Sequence, residues 1–320
     1  MSGRSSDSRD ARTLIGELWE AHARAIAEVS ASPTAAARRS LLELKAGVAR
    51  RLLRACVLCE RRCGVDRMSG ARGHCGCGIE ARLYFAGLLV AEEPEISPSF
   101  CVFPSGCNFQ CSFCCVGEEN AHPERGEPLR AQAIDARLRL PENAAARTLS
   151  LIGGEPTVHL YAILRALART RSHLPLVWNS NFYFSTETAL LLDGVIDVFV
   201  ADCHFGSDDC ARELAGLANH FAVVTRNLLW SAQRSRLILR HLALPGHMAC
   251  CTRPVLEWAA AHLAVPVHVM CNYVPPRTMQ RGQLARSLTS AEMEAAISCA
   301  SDLGLKLVSS ASPALVSPKS

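Results

Sequence analysis

The chain has 320 residues, of which 49% are hydrophobic and 20% charged, so it can bury a sizeable core and disorder throughout is not expected. The whole net charge of +4 comes from the residues before the first cysteine, because residues 1–54 hold ten Lys and Arg against six Asp and Glu. So mild an excess of positive charge is typical of a solvated helix face. We therefore do not expect nucleic acid as a partner. The first stretch lacks the pattern of a secretion signal, and the longest apolar run, residues 83–91, is too short to cross a membrane, so we expect a soluble protein with no membrane partner.

Two helices are predicted in the first segment, residues 1–54. The first follows from apolar residues at helical spacing, and the second run repeats the pattern; their members are Ile15, Leu18, Trp19, Ile26 and Val29, then Leu41, Leu44, Val48 and Leu52. We expect both helices to pack on the outside of the main domain.

The sixteen cysteines concentrate at residues 56–77 and 101–115, a grouping that suits metal binding in a reducing compartment, so we predict a cytoplasmic protein. Within the Cys-rich segment, residues 55–95, four thiolates come from Cys56, Cys59, Cys63 and Cys75. Four soft ligands suit either structural zinc or an auxiliary iron-sulfur cluster, and the sequence does not choose between them. Buried unpaired thiols are the less favoured alternative.

Short apolar strands alternate with helical stretches from residue 96 to residue 308, which predicts parallel βαβ units. The predicted strands are 101–104, 148–152, 174–178, 196–201, 237–244 and 265–270; the predicted helices include 160–170, 186–192 and 254–263. The fold class is α/β, with six units forming a partial (β/α)6 TIM-like barrel. Reactive groups should then lie at the carboxyl ends of the strands, and we expect residues 92–94 to cover that mouth. Residues 309–320 are predicted to form a loose tail.

A Cys-x3-Cys-x2-Cys loop follows the first predicted strand of this barrel. Its thiolates, Cys107, Cys111 and Cys114, can hold three irons of a [4Fe-4S] cluster and leave the fourth iron open to another ligand. The alternatives are a zinc site completed by Cys115 or His122, and a four-thiolate cluster closed by Cys115.

The second barrel strand ends in the residues Gly153, Gly154, Glu155, Pro156 and Thr157. Together with the cysteine loop, this segment resembles the radical S-adenosylmethionine (SAM) superfamily, in which the corresponding motif binds the methionyl amino group of SAM. Glycines let a backbone approach a ligand closely, and a carboxylate offsets an ammonium charge, so the resemblance has a physical basis.

Polar residues also follow the later strands, and we expect them to line the same cofactor cavity. They are Asn179, Asn181, Asp202, His204, Arg240 and His241. Taken singly, each is more typical of an ordinary cap or turn; their recurrence at the same end of successive strands indicates a cavity lining.

Residues 55–277 resemble the pyruvate formate-lyase activating enzymes and, more closely, the PflX-type proteins. The matching segments are residues 56–67, 178–181, 224–227, 240–242 and 250–252. Two departures concern the substrate side: relatives tend to have Gln-Asn where this chain has Cys115 and Val116, and lysine where it has His204.

The resemblance implies a radical SAM enzyme with a [4Fe-4S] cluster and SAM as cofactors. Reductive cleavage of SAM would give a 5'-deoxyadenosyl radical that abstracts hydrogen, as in activation of a glycyl radical enzyme. The partners of such an enzyme would be SAM, a low-potential electron donor of flavodoxin or ferredoxin type, and a protein or peptide substrate. The alternatives are modification of a peptide or small metabolite, and a non-catalytic zinc or iron-sulfur binding module.

Overall fold

A computed structural model describes residue 16 and residues 19–27, 34–90 and 93–308. It contains one eight-stranded sheet. The strands are β1 (Arg82–Leu89), β2 (Ser99–Pro104), β3 (Glu127–Pro128), β4 (Thr148–Leu151), β5 (Leu176–Ser180), β6 (Val198–Asp202), β7 (Arg236–Leu242) and β8 (Val267–Met270). Their order in the sheet is β3-β1-β2-β4-β5-β6-β7-β8.

Strands β2, β4, β5, β6, β7 and β8 are neighbours in that order, and every pair of neighbours is parallel. This confirms the predicted α/β fold with six parallel strands. The ends of all six predicted strands agree with the structure to within two residues. Strands β1 and β3 were not predicted; β1 pairs with β2 in the antiparallel sense and carries the short β3 on its other edge.

Helices cover the outside of this sheet. They are α1 (residues 19–27), α2 (Ala35–Leu52), α3 (Gly117–Ala121), α4 (Ala131–Leu138), α5 (Leu160–Leu167), α6 (Thr186–Leu192), α7 (Asp208–Ala215), α8 (His220–Ala232), α9 (Arg253–His262) and α10 (Ser290–Asp302). A π-helix, Met248–Thr252, precedes α9. None of the helices in the described part of the chain is long and apolar enough to cross a bilayer.

The N-terminal helices pack against the outer layer, as expected. Helix α2 contacts α5, and the buried Lys45 of α2 lies 2.7 Å from Nε2 of His22 in α1. Burial lowers the pKa of His22 to about 4 and that of Lys45 to about 7, because each ionised form loses hydration. The other predicted residues of α1, apart from Trp19 and Ile26, lie outside the described residues.

The expectation that residues 92–94 cover the carboxyl mouth of the barrel is wrong for the described residues of that segment. The connection between β1 and β2 lies at the amino end of the parallel strands, because Leu89 pairs with Ser99. From there Ile96 enters the interior and packs against residues of three parallel strands, Val177, Val198, Val200 and Ile238. The segment therefore fills the opposite end of the barrel, while residue 92 lies outside the described residues.

Candidate metal centre

The cluster loop, residues 105–116, follows β2 and is fastened to the end of α7. The backbone N–H groups of Gln110 and Ser112 donate to the carbonyls of Ala215 and Leu214, at 3.4 and 2.8 Å. Two aromatic side chains of the loop are buried in edge-on contacts: Phe109 meets Tyr183, and Phe113 meets Phe205. The position of the loop is therefore fixed by α7 and by buried aromatic contacts.

The three cluster-loop thiols are half-buried, and two of them, Cys107 and Cys114, receive hydrogen bonds from the protein. The N–H of Phe109 donates to Cys107 Sγ at 3.3 Å, and Asn120 Nδ2 donates to Cys114 Sγ at 3.4 Å. Burial raises the pKa of Cys107 and of Cys111, because their surroundings disfavour a negative charge. Thiolates at this loop therefore need a cation beside them, which bound irons would supply.

The donor set of the loop fits a [4Fe-4S] cluster with three protein ligands. Two buried polar atoms beside the thiols, Asn108 Nδ2 and Asn120 Oδ1, have no hydrogen-bond partner among the described residues, as expected beside a site built for another group. The side chain of Cys115 is exposed, in contrast to the three half-buried thiols. These observations favour three ligands over a cluster closed by Cys115.

The segment Gly153–Glu155 lies directly on the cluster loop. The N–H of Gly154 donates to the carbonyl of Pro104 at 2.9 Å, and that of Glu155 donates to the carbonyl of Gly106 at 3.0 Å. A Cβ on Gly153, whose φ is +90°, would lie 2.6 Å from Pro104 O, and one on Gly154 would overlap Gly106 O and Asn120 Oδ1. Both glycines are thus required by the approach of β4 to β2 and its loop.

The carboxylate of Glu155 is buried and already accepts three hydrogen bonds. Its Oε1 accepts from Thr157 N at 3.0 Å and from Ser180 Oγ at 2.8 Å, and its Oε2 accepts from Asn181 N at 2.9 Å. Burial raises the pKa of Glu155, and these donors oppose that rise. Since a carboxylate can accept about four hydrogen bonds, Oε2 keeps acceptor capacity for a ligand.

Two predicted asparagines follow different paths from β5. Asn181 reaches the cluster loop, where its Nδ2 donates to Asn108 Oδ1 at 2.7 Å and lies 3.8 Å from Cys107 Sγ. Asn179 points into the barrel, where its Oδ1 accepts from Arg240 Nη1 at 3.4 Å. The structure therefore brings Asn181, and not Asn179, to the cysteines.

Arg240 forms a buried two-point ion pair with Glu93 inside the barrel. Its Nε and Nη2 donate to the Glu93 carboxylate at 2.5 and 2.7 Å, and His268 Nδ1 lies 2.8 Å from the same carboxylate. Burial opposes ionisation of Glu93, but the hydrogen bond with His268 and the charge of Arg240 outweigh it, so its pKa lies well below its usual range. The ion pair between Arg240 and Glu93 was not predicted from the sequence. It holds the guanidinium against the segment before β2.

The two predicted histidines are also engaged by the protein. Both ring nitrogens of His241 have partners, since Nδ1 lies 2.8 Å from Cys203 O and Nε2 lies 2.9 Å from Thr252 Oγ1. His204 Nδ1 accepts from Leu242 N at 3.2 Å, and burial, reinforced by Arg240, lowers its pKa to about 4. His241 therefore stabilises the fold. The neutral His204 and the half-buried Asp202 lie at the carboxyl end of β6.

The earlier cysteines come together in a second pocket. Cys56, Cys59, Cys63 and Cys75 line it together with Arg61, Arg67, His74 and Asn108. Polar hydrogens point at two of the sulfurs: His74 N lies 3.4 Å from Cys63 Sγ, and Arg67 Nη1 lies 3.9 Å from Cys56 Sγ. Burial raises the pKa of Cys59 to about 12, whereas the hydrogen bond with Cys77 and the charge of Arg67 lower the pKa of Cys75.

Two residues, Asn108 and Arg61, connect this pocket to the cluster loop, a role that the sequence predicted for neither of them. Asn108 lines the pocket, although it belongs to the loop. Arg61 donates from Nε to Asn108 O at 3.0 Å and from Nη1 to Gly216 O at 2.6 Å. Asn108 stands beside Cys107 in the sequence, which was the one available signal; the contact of Arg61 is made across the fold.

The chain is similar to a protein family, to a protein of known sequence and to solved structures. A family described as "4Fe-4S single cluster domain" matches residues 99–219, which include the cluster loop, and confirms the predicted [4Fe-4S] cofactor. The uncharacterized protein MJ0674 of Methanocaldococcus jannaschii is 32% identical over 308 residues, covering 92% of this chain and 90% of its own.

Among solved structures, the chain is similar to SuiB of Streptococcus suis. In SuiB bound to the precursor peptide SuiA the TM-score is 0.48, and in SuiB bound to S-adenosylmethionine it is 0.47, both at 13% identity over 63% of this chain. The chain spans less than half the length of SuiB, 46% and 47% in the two structures, and this likeness does not bear on activity. The match to MJ0674, at 32% identity over 308 residues, does show family membership: the chain belongs to the same family as this M. jannaschii protein.

Proposed function

We propose that the protein is a radical SAM enzyme whose cluster is held by Cys107, Cys111 and Cys114 and whose SAM is bound against residues 153–155. The observation that carries the proposal is a direct hydrogen bond between the segment 153–155 and the cluster loop: Glu155 N donates to Gly106 O at 3.0 Å. Asn181 completes the junction, with its backbone N–H on Glu155 Oε2 and its side chain beside Cys107. The residues that would hold the cluster and those that would hold SAM therefore adjoin one another.

The residues of the chain act as positioning groups around these cofactors. The bound cluster and SAM supply the difficult chemistry, which is reductive cleavage of the sulfonium bond to methionine and a 5'-deoxyadenosyl radical. Glu155 Oε2 offers a charged acceptor for an ammonium group, and Asn120 and Asn181 donate amide hydrogens to the sulfurs of Cys114 and Cys107. The buried Phe109 and Phe113 keep water away from the loop.

Hydrogen abstraction from a protein partner is the substrate proposal, with a glycyl radical enzyme as the first candidate. It rests on the resemblance of residues 55–277 to activating enzymes, and modification of a peptide or small metabolite is the alternative. We further propose a flavodoxin- or ferredoxin-type electron donor and a cytoplasmic location. Activation predicts transfer of deuterium from a glycine-labelled partner into 5'-deoxyadenosine, whereas transfer from a labelled peptide or metabolite alone would favour the alternative.

Cleavage of SAM is tested with anaerobically reconstituted protein, reductant and SAM. We expect 5'-deoxyadenosine and methionine in equal amounts, and the Cys111→Ala variant should form neither, because it lacks one of three cluster ligands. The cluster is followed by its EPR signal, which should change when SAM is added to the unaltered protein.

The matched control is Cys115→Ser, which alters the exposed neighbour of the proposed ligand Cys114. It should retain the cluster and the products. If Cys111→Ala kept its cluster and turnover, or if Cys115→Ser lost both, the ligand assignment would be wrong.

For the second pocket we propose an auxiliary iron-sulfur cluster in preference to zinc. Sulfurs bound tetrahedrally to one zinc ion stand about 3.8 Å apart, given Zn–S bonds of about 2.3 Å. Within the described residues, neither this pocket nor the cluster loop contributes a group of three or more ligand atoms lying within 4.8 Å of one another. The ligand atoms of both sites therefore lie farther apart than those around a single ion. This separation suits a four-iron cluster, which is larger than a single ion.

A further inference from the structure

A third group of soft ligands lies outside both sites, at the carboxyl ends of β6 and β7. Cys210 belongs to α7, and His247, Cys250 and Cys251 lie in and just before the π-helix Met248–Thr252. Their four ligand atoms, three sulfurs and one imidazole nitrogen, all lie within 4.8 Å of one another. Within the described residues, no three ligand atoms of the two cysteine sites described above lie as close together.

The distances match a tetrahedral ion. With Zn–S of about 2.3 Å and Zn–N of about 2.0–2.1 Å, a sulfur and a nitrogen on one zinc stand about 3.6 Å apart. Nδ1 of His247 lies 3.3 Å from Cys250 Sγ and 3.7 Å from Cys210 Sγ. These two distances bracket the expected one, and all four ligand atoms lie within 4.8 Å of one another, so the group is close enough to share one ion.

The backbone is built to present these ligands. In the π-helix the N–H groups of both Cys251 and Thr252 point to the carbonyl of His247, at 2.9 and 3.2 Å, which places the consecutive cysteines on the turn closed by the histidine. The loop after β6 lies on this turn, because a Cβ on Gly206 would be 2.8 Å from Cys251 O and 3.1 Å from Cys250 O. A side chain at position 206 would push the two segments apart.

Neighbouring hydrogen bonds hold the π-helix to the sheet. His241 of β7 bridges Thr252 and the carbonyl of Cys203, which follows β6. Both of its ring nitrogens are used in this way, so its role is to fix the turn that carries Cys250 and Cys251. Supporting bonds of this kind orient ligands in metal sites.

From this arrangement we infer that Cys210, His247, Cys250 and Cys251 bind one zinc-class ion. Three thiolates and one imidazole form a ligand set typical of structural zinc, and four protein ligands leave the ion no open position for catalysis. Cys251 shares a buried apolar cluster with Phe113 of the cluster loop and with Phe205. The ion would therefore fix the wall of segments after β6 and β7 beside the cluster loop.

The test is the zinc content of the full-length protein after anaerobic purification. We expect zinc per chain to fall by one in the Cys250→Ser/Cys251→Ser double variant, with iron per chain unchanged. The matched control is Cys271→Ser, a half-buried cysteine in none of the three groups, which should keep all its zinc. An unaltered protein without zinc, or equal zinc in the protein and the double variant, would overturn the proposal.

A second pair of variants separates ligation from packing. His247→Ala should lose the ion, whereas His247→Cys supplies a fourth thiolate and should keep it. Loss in both, or retention in both, contradicts ligation by His247. Mass spectrometry of the intact anaerobic protein gives an independent readout: a disulfide among Cys210, Cys250 and Cys251, seen as the loss of two hydrogens, would replace the metal site with a redox pair.

Discussion

Glu155 serves two purposes at the residue scale. It caps the 3-10 helix Pro156–His159 by accepting from Thr157 N, and it joins that cap to β5 through Ser180. Each buried donor left without its acceptor costs about 1–3 kcal/mol, so an alanine at this position would destabilise the fold as well as remove a ligand contact. A test of SAM binding must separate these effects.

Glu155→Gln keeps the shape of the side chain and removes its charge; its amide NH2 takes the place of one oxygen, so at least one of the three donors loses its acceptor. We expect the affinity for SAM to fall roughly ten- to hundredfold, which corresponds to about 1.5–3 kcal/mol for a charge-assisted hydrogen bond. The measurement is a SAM titration of the cluster-loaded variant. Ser180→Ala is the matched control, because it removes one donor to the same carboxylate and leaves the charge; it should lower the melting temperature without weakening SAM binding. Unchanged affinity in Glu155→Gln would mean that the carboxylate is only a cap.

At the scale of elements, the junction of β4 with the loop after β2 has no room for a side chain. A Cβ on Gly154 would overlap the carbonyl of Gly106, which itself accepts from Glu155 N. We therefore predict that Gly154→Ala displaces the cluster loop and reduces bound iron after reconstitution, as measured by iron per chain.

Gly47→Ala is the control for this substitution. Gly47 lies in α2, where an added Cβ would meet no atom within 4 Å. Alanine there should leave the iron content unchanged and raise the unfolding free energy by up to about 1 kcal/mol, because glycine is a poor helix former. Full iron binding by Gly154→Ala would show that the loop tolerates the shift.

At the scale of the whole molecule, the cluster loop and the second cysteine pocket share one wall. Asn108 belongs to the loop and lines the pocket, and Arg61 holds it from the pocket side. We predict that a variant with alanine at Cys107, Cys111 and Cys114 still binds about four irons and sulfide at the second pocket, as measured by metal and sulfide analysis.

The control adds Cys59→Ser to the triple variant, and this protein should lose the remaining iron and sulfide. Zinc without sulfide in the second pocket, remaining in the triple variant and lost with Cys59→Ser, would contradict the auxiliary cluster. Neither metal in a folded, anaerobically purified triple variant would mean that Cys56, Cys59, Cys63 and Cys75 are not ligands.

The six parallel strands and the place of the cluster loop after the first of them could be predicted from the sequence. Both depend on local signals: the apolar stretches mark the strands, and the loop cysteines stand within eight residues of one another. Parallel strands bring their carboxyl ends to one edge, so the meeting of residues 107–114 with residues 153–155 followed from the topology.

Only the tertiary structure decided which polar side chains reach that edge. Arg240 follows the same strand pattern as Asn181, yet it turns inward to Glu93, 147 residues away in the sequence. Cys210 and His247 stand 37 residues apart, on either side of β7, and meet because the loop after β6 packs on the π-helix. Such contacts depend on side-chain packing between distant segments, and no local periodicity or spacing records them.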